Sequence, residues 1–328
     1  MEFEAPPPPQ SAAELLPKEA DSFGEGLCHV LSKGMEVFAP SLTEAAECCI
    51  RVFAAMLLVC LIGQLSRGVS ASALELAGVA AVGTLLLAPS ASMLQLGVET
   101  VRELRQYGML MLGVLTSALA AAGGATGATA LYAGTAFADV ILGSAVTALF
   151  LPMLRMFLAL AIGQAAADSK LLGTFKGFLS KLMEWTLKGA LTLFTAYMTV
   201  SGVVTGTADA AAGKAARIAL SGAVPVVGGI LSDAADTVLL SAAALGSGAG
   251  VWGILTVLAI FCAPAVRIGC QYLLLKLTAA AGESLGGSRC ASLVSDFASA
   301  MGLLMALVCT QTVLLLISAV CFLRGIGG

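Results

Sequence analysis

Residues 214–252 read KAARIALSGAVPVVGGILSDAADTVLLSAAALGSGAGVW. A basic start at Lys214 and Arg217 leads into an apolar run broken by Pro225 and then by Gly228 and Gly229. Proline removes a backbone donor, and paired glycines raise the entropic cost of helix. One straight membrane helix is therefore not expected here. The pattern predicts a broken or re-entrant segment whose second helical piece begins near Asp233 and Asp236. Three residues apart, these two acids share a helical face near a positive helix end. Non-helical backbone at membrane depth survives only where protein or a water-filled cavity satisfies it. One reading makes the stretch the lining of a polar path. The other makes it an interfacial loop and cap with the carboxylates in water. Both stay open at this stage.

Composition sets the environment. Of 328 residues, 59% are hydrophobic and 11% charged, against about 25% charged in soluble domains. Mean hydropathy is +0.97. The apolar residues come in long runs and not in alternation, so the expected class is all-α, a polytopic helical membrane protein and not a barrel. The 37 glycines suit close helix packing, for which lipid supplies no hydrophobic drive. A net charge of -3 argues against nucleic acid as a partner. Nine cysteines form no CxxC motif and His29 is the single histidine, so neither a zinc site nor a disulfide framework is indicated. The cysteines read as small apolar fillers, and no cofactor is expected.

Residues 1–48 carry two lysines against nine acidic residues, with prolines at 6 to 9. They are expected to be an extracytoplasmic segment, a flexible tip followed by amphipathic helices, with residues 49–328 forming the transmembrane domain. The opening MEFEAPPPPQ has no signal-peptide apolar core. Ser41 to Glu44 has the form of a capping box opening a helix into the membrane. Spans are expected at about 50–65, 71–87, 108–122, 189–205, 251–265 and 301–322. The second should end at Pro89 and the fifth at Pro264. Between the second and third lies a polar-faced helix, 92–106, carrying Glu99, Arg102, Glu103 and Arg105, on which Glu99 is read in a surface pair with Arg102 or Glu103. Residues 127–166 would reach roughly 60 Å as one helix, twice a bilayer core, and should break near Phe150 to Pro152. Asp139 and Arg155 fall in that region. Each is costly alone in lipid, which suggests a pair or a shared cavity.

Residues 168–188 form a basic amphipathic helix. Leu171, Phe175, Phe178, Leu182 and Trp185 share one face, and Lys170, Lys181, Glu184 and Lys188 share another. It would lie in the interface or pack as an elbow against neighbouring spans. The positive-inside rule puts this helix in the cytoplasm and the acidic N-terminal region outside. Seven to nine membrane segments result, some of them partial. A two-fold internal repeat is also suggested. Glu99-Thr100-Val101 follows Pro89 much as Asp236-Thr237-Val238 follows Pro225, and Gly113 to Thr116 resembles Gly253 to Thr256. Paired Gly/Pro-interrupted segments of this kind mark transporter repeats.

From about Leu42 onward the chain resembles the stage III sporulation protein AE family, polytopic membrane proteins of endospore-forming bacteria. The resemblance rests on GAVPVVGGILSDAADTVLLSAAALGSGAGVWGI at 222–254 and APAVRIGCQYLLLKLTAAAGESLGG at 263–287. The Gly123-Gly124 break and the basic amphipathic helix also match. Two features depart from the family pattern: the cleavable signal peptide is not seen, and the tail after the last span is short. The resemblance implies residence in the mother-cell membrane facing the forespore, within a channel or secretion-like complex. The partners it implies are the other stage III A-operon proteins and stage II sporulation protein Q across the intermembrane space. It supplies no catalytic residues.

Three functions compete on this basis. A transport or channel subunit would use Asp233, Asp236, Asp139, Arg155 and Glu99 along a polar path, with Pro225, Gly228 and Gly229 as the break. A self-contained secondary transporter would couple a small solute to ions through the same acids. A structural scaffold would dock partners through the N-terminal region and the 168–188 helix. Beyond proteins, membrane lipid and a second copy of the chain are expected contacts. Catalysis is disfavoured, because a nucleophile needs a placed base and His29 stands alone outside the membrane.

Overall fold

The computed structural model of the protein describes residues 6–17, 23–65, 71–121, 149–200, 248–285 and 288–327, with residues 129, 132–134 and 136. Regular structure among the described residues is helical throughout. A short α1 (Gln10–Ala13) precedes two long helices, α2 (Phe23–Leu65) and α3 (Ala71–Ala121). Then come α4 (Leu151–Ala167), α5 (Lys170–Val200), α6 (Gly248–Ser284) and α7 (Ser288–Gly327).

These helices are longer than the sequence pattern suggests. At 1.5 Å per residue α3 extends about 77 Å and α2 about 65 Å, where a bilayer core takes about 30 Å. Pro40, Pro89 and Pro264 all lie inside helices. The expected stops at Pro89 and Pro264 are therefore corrected. A proline deletes one hydrogen bond, and neighbouring helices can hold the backbone through it. The capping box at Ser41 is corrected as well: Ser41 is mid-helix, and its hydroxyl donates to the Val37 carbonyl at 2.7 Å. The polar-faced helix 92–106 exists as part of α3, with Leu94, Val101 and Leu104 buried and Glu99 and Arg102 exposed. Helix α2 runs unbroken through residues 48 and 49, so the N-terminal segment and the first span share one rod.

Among the described residues, four helices are long and apolar enough to cross a membrane: α2, Ser72–Ala118 of α3, Val251–Ser284 of α6 and Arg289–Val320 of α7. The shorter Leu151–Ala167 is also apolar. The expected seven to nine segments are not reached among the described residues, partly because predicted neighbours fuse. The second half of the suggested repeat, with Pro225 and Asp236, lies outside the described residues.

Contacts between helices fix the topology. Gly63 meets Leu74, so α2 and α3 are antiparallel; Lys276 meets Ser295, so α6 and α7 are antiparallel. Gly26 packs on Leu255 and the Cys60 thiol reaches the Leu285 carbonyl, so α2 runs parallel to α6. Gly78 lies beside Cys290 and Gly108 beside Leu315, so α3 runs parallel to α7. Helices α4 and α5 turn at Asp168, whose φ of 48° and ψ of 39° are left-handed. Asp tolerates that region better than most side chains, and its N–H closes on the Gln164 carbonyl at 2.9 Å. The Arg289–Asp168 and Lys176–Asp296 ion pairs align α5 with α7. The described helices thus pair as three hairpins, α2/α3, α4/α5 and α6/α7, with the end of the first helix and the start of the second in each pair gathered at one end of the bundle. The start of α2 lies at the other.

Burial identifies the hub. The share of buried residues in the most apolar window rises from 22% in α2 through 39% in α3 and 56% in α6 to 72% in α7. Helix α7 packs on α6, α3, α4 and α5. Glycines allow the approach. A Cβ on Gly97 would stand 2.5 Å from the Leu304 side chain, so α3 and α7 can sit this close only with glycine there. Outward, α2 shows Leu31, Met35, Ile50, Leu58 and Leu65. Helix α5 packs on α4 and α7 through Leu179, Met183 and Leu187, while Leu171, Phe175, Phe178 and Trp185 of the predicted apolar face are exposed.

Candidate functional site

Most of the acids singled out in the sequence lie beyond view. Asp233, Asp236, Asp139, Pro225, Gly228 and Gly229 fall outside the described residues. Of the others, Arg155 is exposed on α4. Glu99 is exposed on α3, 3.9 Å from Arg102, as the spacing predicts. The structure does not bring Arg155 and Glu99 together.

It does gather charges that no local pattern announces, and it gathers them where the hairpins turn. Arg289, in the first turn of α7, holds Glu75 of α3 at 2.8 Å through Nε. Its Nη2 donates to Asp168, the α4/α5 turn residue, at 3.0 Å. Two turns further along α7, Asp296 accepts a 2.6 Å bond from Lys176 of α5. The side chains of this pair are only 14% and 16% exposed. From α6, Lys276 acts on the same carboxylate and donates to the neighbouring Ser295 at 3.2 Å. Arg289 and Asp296 are seven apart, so one face of α7 carries both contacts. Three cations thus meet three carboxylates, and every hairpin contributes. A charge enclosed among apolar helices is costly unless paired. Paired as here, the set locks the three turns into one register.

The sequence offered one faint cue to this network. Arg289 and Asp296 interrupt an otherwise apolar helix at a two-turn spacing. Their partners lie 120 to 214 residues away, and only the hairpin order joins them.

A second polar feature lies halfway along the bundle, between α2, α3 and α6. It is a cleft of about 220 Å³ lined by Glu44, Glu47, Cys48, Arg51, Arg267 and Gln271, among others. Glu47 and Arg51 pair at 3.2 Å along α2. Among the described residues, Glu44 and Arg267 make no ion pair. Leu85 and Pro89 complete the α3 wall. Proline has no N–H, so the Leu85 carbonyl has lost its helical donor. The Gln271 amide is buried and reaches the Cys48 thiol at 3.9 Å.

The described cysteines are free thiols, with Cys49, Cys270, Cys290 and Cys309 buried as packing residues. Among the described residues no three His, Cys, Asp or Glu side chains come together as a metal site.

Comparison with known proteins gives a consistent result. The family description "Stage III sporulation protein AE" matches residues 26–325. A curated relative of that name from Bacillus subtilis (strain 168) is 23% identical over 189 residues. The match covers 58% of this chain and 47% of the relative, so it spans about half of that protein's length. No solved structure matches the chain.

Proposed function

Since the chain belongs to the stage III sporulation protein AE family, we propose that it is a membrane subunit of the complex joining mother cell and forespore, forming or supporting a transport path. It resides in the mother-cell membrane around the forespore, with residues 1–48 on the extracytoplasmic side. The other stage III A-operon proteins are its neighbours, and stage II sporulation protein Q meets it across the intermembrane space. The full chain contributes seven to nine membrane segments, counting the broken piece at 214–252. Asp233 and Asp236 line the path, and Pro225 with Gly228 and Gly229 opens the helix that presents them. No reaction is assigned to the chain.

One observation carries this reading: charged side chains are built into the interior of a bundle of membrane-length helices. Lys176 and Asp296 sit largely covered between α5 and α7. Ionisable groups in such places mark ion or substrate routes, or the frames that hold them. The pair reads as part of the frame, which leaves the acids of 214–252 for the path.

The test is sporulation in cells whose only copy carries Asp233→Asn and Asp236→Asn. Spore counts should fall by about tenfold or more, with the protein present at its normal level. Full spore counts at that level would remove the Asp pair from the mechanism.

A further inference from the structure

The cleft between α2, α3 and α6 brings together two opposite charges from different helices that do not close on each other. Glu44 on α2 and Arg267 on α6 both line it, yet no ion pair joins them. Beside them stand the Glu47–Arg51 pair, Leu85 and Pro89. The wall therefore offers the Glu44 carboxylate from α2 and, from α6, the Arg267 guanidinium with the Gln271 amide. A guanidinium suits phosphate oxygens. A carboxylate suits an ammonium, which only donates.

Size and setting narrow the ligand. A volume of 220 Å³ equals roughly seven waters at about 30 Å³ each. That is room for a phosphodiester and a short amine, and not for acyl chains. The flanks are apolar and outward-facing: Leu42 and Leu85 are each 38% exposed and Ile50 is 67% exposed. Just past Arg51, from Val52 to Leu65, α2 carries no charge. A molecule with a zwitterionic head in the cleft would lay its tails along these residues.

We propose that this cleft is a binding site for an aminophospholipid, with the phosphate on Arg267 and the primary amine on Glu44. It is independent of the transport reading above, because lipid retention can be measured on the purified protein.

The experiment is native mass spectrometry of the full chain released from vesicles of equal phosphatidylethanolamine, phosphatidylglycerol and phosphatidylcholine. The wild type should retain the ethanolamine lipid in preference to the other two. Arg267→Gln should lower its retention about tenfold, the effect of one hydrogen-bonded charge. Glu44→Gln should erase the preference over phosphatidylglycerol while leaving phosphodiester binding. Both residues are exposed on intact helices, and circular dichroism confirms folding of each variant. Equal retention of the three lipids by the wild type, or unchanged retention by both variants, overturns the site. Soluble glycerophosphoethanolamine should not displace the lipid at equal concentration. If it does, the ligand is a free phosphodiester and the lipid assignment fails.

Discussion

Two of the charged regions of this bundle treat charge in opposite ways. At the turn end, Arg289 and Asp296 of α7 reach carboxylates and ammoniums on other hairpins at 2.6 to 3.0 Å. Halfway down, Glu44 and Arg267 face a cleft and each stands without an ion pair among the described residues. The same residue types are internal fasteners in one place and open valences in the other. The difference lies in which helices flank them. The turn end surrounds α7, the hub, where charges from three hairpins are forced together. The cleft is walled by α2, the least covered of the long helices, and opens outward.

The sharpest way to break this comparison is at Asp296. Asparagine there leaves Lys176 and Lys276 facing one another without their shared carboxylate. Removing one partner of a covered pair costs about 3–5 kcal/mol. Thermal unfolding of purified Asp296→Asn in detergent should show that loss. Lys176→Gln should cost less, about 1–2 kcal/mol, because Lys276 still answers the carboxylate. Equal effects from the two changes would mean that Lys276 does not share the load.

Arg289 tests the same idea at lower stakes. Its carboxylates are more solvated, with Glu75 42% and Asp168 73% exposed. Screening limits such pairs to about 1 kcal/mol. A double-mutant cycle of Arg289→Gln with Glu75→Gln should give a coupling near that size. A coupling as large as that of Lys176 with Asp296 would show that the turns are sealed from water.

These residues also show what the sequence could and could not disclose. The class was plain: with 59% hydrophobic residues in long runs, a helical membrane protein was the one economical reading. The polar face of 92–106 and its Glu99–Arg102 pair were legible because they depend on neighbours three residues apart. Helix lengths were misread at Pro89 and Pro264, since a local rule about proline ignores the packing that carries a long helix past it. The apolar stripe of 168–188 was legible, and Leu171 and Phe175 on it face outward; the inward place of Lys176, opposite Asp296, was not. Nothing within 120 residues of Lys176 says that Asp296 awaits it. That pairing is a property of the hairpin order, and no window of sequence contains it.

The smallest expected effect sharpens the comparison most. Glu44→Gln and Arg267→Gln remove charges that hold no helix, so neither should change detergent stability by more than about 0.5 kcal/mol. In bilayers containing phosphatidylethanolamine, Arg267→Gln should lose most of the stabilisation that the lipid gives the wild type and Glu44→Gln only the part owed to the amine, because a ligand that binds only the folded state raises its stability by mass action. Thermal unfolding of the three proteins with and without that lipid separates the cases. A stability loss in detergent comparable to that of Asp296→Asn would make Glu44 and Arg267 fasteners after all, and the contrast between cleft and turn would vanish. A loss seen only with the lipid present would mean that α2 and α6 are bridged at this depth by a molecule from the membrane, where the hairpin turns are bridged by the chain itself.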